Sequence, residues 1–154
     1  MAIVMEKQQR VFPEQVIEGK PTLYSFQSCP FCFKVRALLG SRGIPFSEVE
    51  VEPMKKAQLK WSEWDAVPVF VDSNGKAMNE SNDILHYIDG KHGNLWARAG
   101  EDAEQDRWME FSNKVLGKSI VAVIYQSFRS SFGAMEYVSK VDNFTAKEKF
   151  VNKW

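Results

Sequence analysis

Cysteine occurs twice in this 154-residue chain, as Cys29 and Cys32 in the run Ser28-Cys29-Pro30-Phe31-Cys32. A β-pattern leads into the pair (Thr22, Leu23, Tyr24, Ser25, Phe26), and a helical pattern leads out of it (Cys32, Val35, Leu38, Leu39). A Cys-x-x-Cys between a strand and a helix is a redox motif. The unpaired N–H groups and the positive end of the helix macrodipole favour a thiolate there. Pro30 suits the first helical position, which needs no N–H donor and has φ already set. Cys29 is therefore expected to be an exposed, acidic nucleophile, and Cys32, one turn deeper, its resolving partner. A structural or metal-binding role is the alternative. Tetrahedral zinc needs four ligands, and the only histidines, His86 and His92, lie six apart and form no matching pair. No metal site is read.

Lys plus Arg and Asp plus Glu number 20 each, so the formal charge is zero. No basic field points to nucleic acid or to an anionic membrane. Two cysteines make no disulfide scaffold and fit a reducing compartment. The start, Met1-Ala2-Ile3-Val4-Met5-Glu6-Lys7, has too short an apolar run for a signal peptide, and no run approaches a membrane span. The expectation is a cytoplasmic protein. Organelle or membrane association would require a targeting segment or anchor removed from this sequence.

Residues 1–20 read as a lead-in. Strands are expected over Thr22–Gln27, Phe46–Val51, Val67–Val71 and Lys76–Met78. Phe31–Arg42 reads as a helix closed by Gly43, Met54–Trp64 as a weaker one, and a third starts at Asn79-Glu80-Ser81 with Ile84, Leu85 and Ile88 as its apolar stripe. Asp72-Ser73-Asn74-Gly75 is a hairpin turn. The order is βαβ then αββα: a thioredoxin-like α/β domain over 21–93, a mixed four-stranded sheet with helices on both faces. A linker is read over 94–100 and an all-α segment over 101–154. In that segment Glu101–Gln126 reads as one long helix burying Trp108, Phe111, Val115 and Leu116. Ser127–Gly133 reads as an interruption, and Met135–Val141 has no decided pattern. Thr145 reads as the N-cap of a helix burying Phe150, Val151 and Trp154. A chain stopping on such a face reads as a fragment, or as one whose end a partner covers.

Leu23–Ile88 resembles the glutaredoxin-like N-terminal domain of the glutathione transferase family. The resemblance rests on Cys29-Pro30-Phe31-Cys32, Ala66-Val67-Pro68 and Glu80-Ser81. Within that family it is nearest to the prostaglandin E synthase type 2 branch, through the run Ser28 to Leu39 and the approach Lys60-Trp61-Ser62-Glu63-Trp64. Trp108–Trp154 resembles the early part of that branch's helical domain, which continues further. Phe26 stands where that branch carries a tyrosine.

The resemblance implies a glutathione-dependent thiol enzyme that isomerises prostaglandin H2 to prostaglandin E2. Cys29 and Cys32 would be catalytic, and Phe31, Val67, Pro68, Glu80 and Ser81 would bind glutathione. The proline would be cis and face the dithiol. The helix start at Ser81 would take the γ-glutamyl carboxylate through the hydroxyl and free N–H groups. Lys34 and Arg36 would either support the thiolate or be solvated helix charges. Haem is implied by resemblance alone, as are lipid or disulfide substrates and a homodimer. The alternatives are a glutaredoxin-type thiol-disulfide oxidoreductase and a non-catalytic module binding glutathione with haem or an iron–sulfur group.

Overall fold

The computed structural model describes residues 19–93, 102–142 and 144–151. The lead-in up to 18, the linker 94–100 and residues 152–154, including Trp154, lie outside the described residues.

Strands β1 (Thr22–Ser25), β2 (Ser47–Glu50), β3 (Val69–Val71) and β4 (Ala77–Met78) form one sheet in the order β2-β1-β3-β4. β1 runs parallel to β2 and antiparallel to β3, and β3 pairs antiparallel with β4. The helices of this half are α1 (Pro30–Ser41) and α2 (Ser81–Lys91). The fold is the thioredoxin-like arrangement expected from the strand and helix order. Gly43, at φ +62°, turns the chain out of α1. The hairpin turn forms as read: Asp72 Oδ1 accepts the N–H groups of Asn74 (2.8 Å) and Lys76 (2.9 Å).

Side-chain alternation gives the sheet two buried faces. On one, Leu23, Phe46 and Phe70 pack with Val35, Leu38 and Leu39 of α1 and Ile84, Leu85 and Ile88 of α2. On the other, Tyr24, Val49, Val51 and Val69 pack with Leu59, and Trp64 and Val67 border them. Each fully buried aliphatic side chain contributes roughly 1.5–3 kcal/mol, so β1 is clamped from both sides. This holds fixed the loop that follows it.

Several expectations fail here for physical reasons. Met54–Trp64 is not a helix; its only regular piece is a 3-10 turn over Ala57–Leu59. Lys56 sits at φ +47°, and the Glu52 carboxylate takes the N–H groups of Met54 (2.8 Å) and Lys55 (2.5 Å). That local alternative competes with helix. The second sheet face is thus covered by irregular chain, not by a helix. β2 is buried at all four positions, glutamates included.

The long helix of the second half is α3 (Asp102–Phe111), a π-helical turn (Ser112–Gly117) and α4 (Lys118–Ile124). Trp108, Phe111, Val115 and Leu116 were read as its core face, yet they are 63%, 45%, 49% and 49% exposed. Amphipathic spacing marks a face that is apolar, not one that is covered. Ser127–Gly133 is no interruption: only Tyr125–Ser127 turns, and Ser127 caps α5 (Phe128–Met135) in a capping box with Ser130. A 3-10 helix (Glu136–Lys140) follows, then α6 (Ala146–Val151). Thr145 is the cap expected: Glu148 N–H donates to Thr145 Oγ1 (3.2 Å), and Glu148 Oε2 accepts from Thr145 N–H (2.7 Å). Phe150, read as buried, is exposed. Among the described residues, no helix is long and apolar enough to cross a membrane.

Candidate functional site

The dithiol sits where β1 passes into α1. Cys29 is the N-cap residue, with extended backbone, and Pro30 is the first helical residue. Cys29 is half-buried and Cys32 fully buried, and both are free thiols. The Cys29 thiol is lowered from its ordinary 9.0 to about 7. The Cys32 thiol, donating to the Cys29 sulfur, is the largest cause; partial burial works against it. The N–H groups of Cys32 and Phe31 face the sulfur and Arg36 adds positive charge, although no regular capping bond closes. Cys32 moves the opposite way: burial, then the neighbouring Cys29, pushes it well above the ordinary thiol value. One sulfur is poised as a thiolate near neutrality and the other is kept as a thiol.

The loop before Cys29 is held from β2 and α1. Arg36 pairs with Glu48 and donates to the Phe26 carbonyl (2.7 Å) and Ser25 Oγ (3.3 Å). Glu50 Oε1 accepts the Gln27 N–H at 2.7 Å. Arg36 is therefore neither a solvated helix charge nor mainly a thiolate partner; it ties the loop to the sheet. The sequence reading missed Glu48 and Glu50. Their alternation with Val49 and Val51 was visible, but it was compatible with an outward-facing charged row.

The cis peptide bond falls at Val67-Pro68, as expected. Asn79, read from sequence only as part of the helix start, links this bend to α2: its Nδ2 donates to the Ala66 carbonyl (2.9 Å), and its Oδ1 accepts the Glu80 N–H (2.6 Å). Glu80 precedes α2 at φ +64° and makes no side-chain cap. Ser81 does not cap α2 either. It is 3% exposed, and its hydroxyl donates to Asn113 Oδ1 at 3.4 Å. Lys34 Nζ also donates to Asn113, and to Asn82 Oδ1 at 2.8 Å. Lys34 is thus a tie between α1, α2 and the π-turn, and its burial lowers its pKa.

Beside Cys29 opens a cleft of about 460 Å3 whose apolar wall is Pro30, Phe31, Phe33, Leu116 and Ile120. Phe31, half-buried, leans on Gly117 of the π-turn. Val67, Pro68, Glu80 and Ser81 do not line this cleft. No histidine lines it either; His86 lies on the surface, 3.8 Å from Asp106. Among the described residues, no group of three or more His, Cys, Asp or Glu side chains is arranged to hold a metal ion. Among the described residues, Cys29 is the one cysteine or histidine on the lining of this cleft.

Comparison with known proteins places this geometry. Residues 23–96 match the glutathione S-transferase N-terminal domain family. The mouse (Mus musculus) prostaglandin E synthase 2 is 40% identical over 62 residues, which is 40% of this chain and 16% of that protein. Glutaredoxin 2 of Escherichia coli K12 is 24% identical over 123 residues, 77% of this chain and 57% of that protein. The chain therefore spans only part of these relatives' length. In fold it is similar to glutathione transferase Omega 3C from Trametes versicolor (TM-score 0.59, 20% identity, 79% of this chain, 61% of that one). It is also similar to Salmonella typhimurium glutaredoxin 2 in complex with glutathione (TM-score 0.52, 20% identity, 86% and 60%). These matches cover more of the chain than residues 23–96 alone, so they extend into its helical second half, which is consistent with the glutathione transferase fold.

Proposed function

We propose that this protein is a glutathione-dependent thiol enzyme with Cys29 as nucleophile. The observation that carries the reading is a Cys29 thiol lowered to about 7 at the start of α1, directly over a buried Cys32 kept protonated. A structural cysteine pair needs no such asymmetry. The relation to glutathione S-transferases and glutaredoxin 2 supports glutathione as the thiol partner.

The residues fit a small peptide thiol. Its thiol would meet Cys29, its backbone would pair with the extended segment at Val67-Pro68, and a carboxylate would meet the first N–H groups of α2 near Glu80 and Ser81. Phe31 would contact its apolar portion from the cleft side. In thiol–disulfide exchange, the Cys29 thiolate attacks one sulfur of the substrate disulfide. A Cys29 mixed disulfide forms and the other sulfur leaves as a thiolate. Either Cys32, giving up its proton, or a glutathione thiolate then attacks Cys29 Sγ and releases the bound thiol. The first route leaves a Cys29–Cys32 disulfide, which two glutathione molecules reduce with formation of glutathione disulfide.

A second reading is favoured by the apolar cleft at Cys29 and by the 40% identity to prostaglandin E synthase 2. It is the redox-neutral isomerisation of prostaglandin H2 to prostaglandin E2, with the Cys29 thiolate engaging the endoperoxide. Haem enters neither reading.

The test is glutathione–disulfide exchange and prostaglandin H2 conversion with wild type, Cys29→Ser and Cys32→Ser. Both activities should vanish in Cys29→Ser. Loss of exchange in Cys32→Ser marks the dithiol route, and its retention the monothiol route. Prostaglandin H2 turnover no faster than solution decay removes the isomerase. Absence of both activities in wild type removes the enzyme.

A further inference from the structure

We infer that the cleft beside Cys29 is a site for an apolar molecule carrying a carboxylate, and that Lys34 is the residue that receives the carboxylate. The inference rests on Cys29 being the reactive thiol and deepens that reading by naming the class of substrate.

A cation taken partly out of water needs compensation from its surroundings. Elsewhere in this half of the chain carboxylates supply it: Arg36 pairs with Glu48, Arg42 with Asp89 and Lys91 with Asp72. Lys34 is half-buried, yet among the described residues no Asp or Glu pairs with it. Its Nζ meets neutral oxygens instead: Asn82 Oδ1 at 2.8 Å, Asn113 Oδ1, and Ser112 Oγ at 3.5 Å. Amide and hydroxyl dipoles satisfy the donors and leave the charge uncancelled.

The three contacts are unequal. A hydrogen bond between an ammonium and an oxygen is about 2.7–2.9 Å long when strong, so the one to Ser112 is weak. The Ser112 hydroxyl already donates to the Met109 carbonyl at 2.8 Å. Lys34 and Ser112 both line the cleft, whereas Asn82 and Asn113 do not. The weakly held third donor of Lys34 is therefore the one on the cleft side. Among the described residues no Asp or Glu lines the cleft, so no carboxylate of the protein competes there for the ammonium.

The rest of the wall fits an apolar body. Lys34 Nζ lies 6.0 Å from the centre of the Phe31 ring, at the edge of that wall. The cleft of about 460 Å3 is within the range of small-molecule sites, roughly 300–1,000 Å3. Cys29 and Lys34 lie five positions apart in sequence, which is about 7.5 Å of helix axis. A ligand filling the cleft runs from the sulfur to the ammonium. Its apolar part lies on Phe31, Leu116 and Ile120, and its carboxylate takes the place that Ser112 Oγ holds on Lys34.

The probes are decanoate and decan-1-ol, which share an apolar chain and differ in charge. Each is tested at neutral pH for protecting Cys29 from iodoacetamide, followed by mass spectrometry, in wild type, Lys34→Gln and Lys34→Arg. Melting temperatures and the midpoints of unprotected alkylation are measured alongside. In wild type, decanoate should half-protect Cys29 at a concentration roughly tenfold or more below that of decanol. Lys34→Gln should raise the decanoate value by roughly ten- to a hundredfold, as expected for a lost charge-assisted bond, and leave the decanol value in place. Lys34→Arg should keep the preference. Equal protection by the two probes in wild type, or a decanoate preference that survives Lys34→Gln, overturns the proposal. A merely structural Lys34 would lower the melting temperature and move both probes alike, which overturns it too. Protection by S-methylglutathione that depends on Lys34, with none by decanoate, assigns the cation to the peptide thiol and likewise overturns it. If Lys34→Gln does not fold, Ser112→Asp supplies the missing counter-charge: loss of the decanoate preference supports the proposal and its retention overturns it. A wild-type midpoint at the ordinary thiol value overturns the nucleophile reading and this one with it. Equal protection with a midpoint of about 7 overturns this one alone.

Discussion

Replacing Gly117 by alanine tests how tightly the helical half is fitted to the dithiol helix. In an open helix the change stabilises by about 1 kcal/mol, because glycine is the poorer helix former. Here the added Cβ would lie 2.8 Å and 2.9 Å from two ring carbons of Phe31, and 3.0 Å from the Ser112 carbonyl oxygen. The carbonyl belongs to the backbone of the same π-turn and cannot swing aside. Phe31 can move only by shifting towards the cleft or straining the turn that holds Cys29. Overpacking costs about 1–3 kcal/mol; with contacts of 2.8, 2.9 and 3.0 Å, the last to backbone, the upper part of that range applies, about 2–3 kcal/mol, which exceeds the propensity gain. The expected net loss is about 1–2 kcal/mol, or roughly 2–8 °C in melting temperature for a chain of this size. Thermal melts followed by circular dichroism measure it. The double variant with Phe31→Leu should recover part of the loss, a non-additivity that locates the clash. A Gly117→Ala protein as stable as wild type, or more so, would refute the packing of Phe31 against the π-turn.

Three further outcomes follow from the site. Cys32→Ala removes the largest influence lowering the Cys29 thiol, so the alkylation midpoint of Cys29 should rise from about 7 towards the ordinary 9.0. Arg36→Ala leaves Glu48 buried without its cation, the pair being 11% and 6% exposed; chemical denaturation should show a loss of about 3–5 kcal/mol, partly recovered by adding Glu48→Gln. Asn79→Ala cuts the link between the Ala66 carbonyl and the Glu80 N–H; at roughly 1 kcal/mol per bond, KM for glutathione should rise on the order of tenfold, with the Cys29 alkylation midpoint unchanged.

What the sequence disclosed was whatever depends on neighbours along the chain. Cys29 and Cys32 fall where a period-two pattern gives way to a helical one, and that change of period alone puts the pair at the start of α1. Asp72 to Gly75 carries its turn chemistry in its own side chains. Thr145 and Glu148 likewise form their cap within one turn. What stayed hidden depends on distant partners. Glu48 and Glu50 look solvent-facing until Arg36, Gln27 and Ser25 are brought to them. Ser81 looks like a cap until Asn113 arrives from the second half. Met54–Trp64 has helical composition, but Glu52 and the left-handed Lys56 divert its backbone. Trp108 and Phe111 show that an apolar stripe gives direction without saying what lies opposite.

The proposed chemistry requires one sulfur to be a thiolate at neutral pH while its neighbour is not. The most direct test is the pH dependence of alkylation of each cysteine in the wild-type protein, resolved by peptide mass. The structure predicts that Cys29 reacts with a midpoint of about 7, its rate falling as the pH drops below that value, while Cys32 stays unmodified throughout. A Cys29 midpoint at 9.0, or Cys32 reacting first, would contradict it.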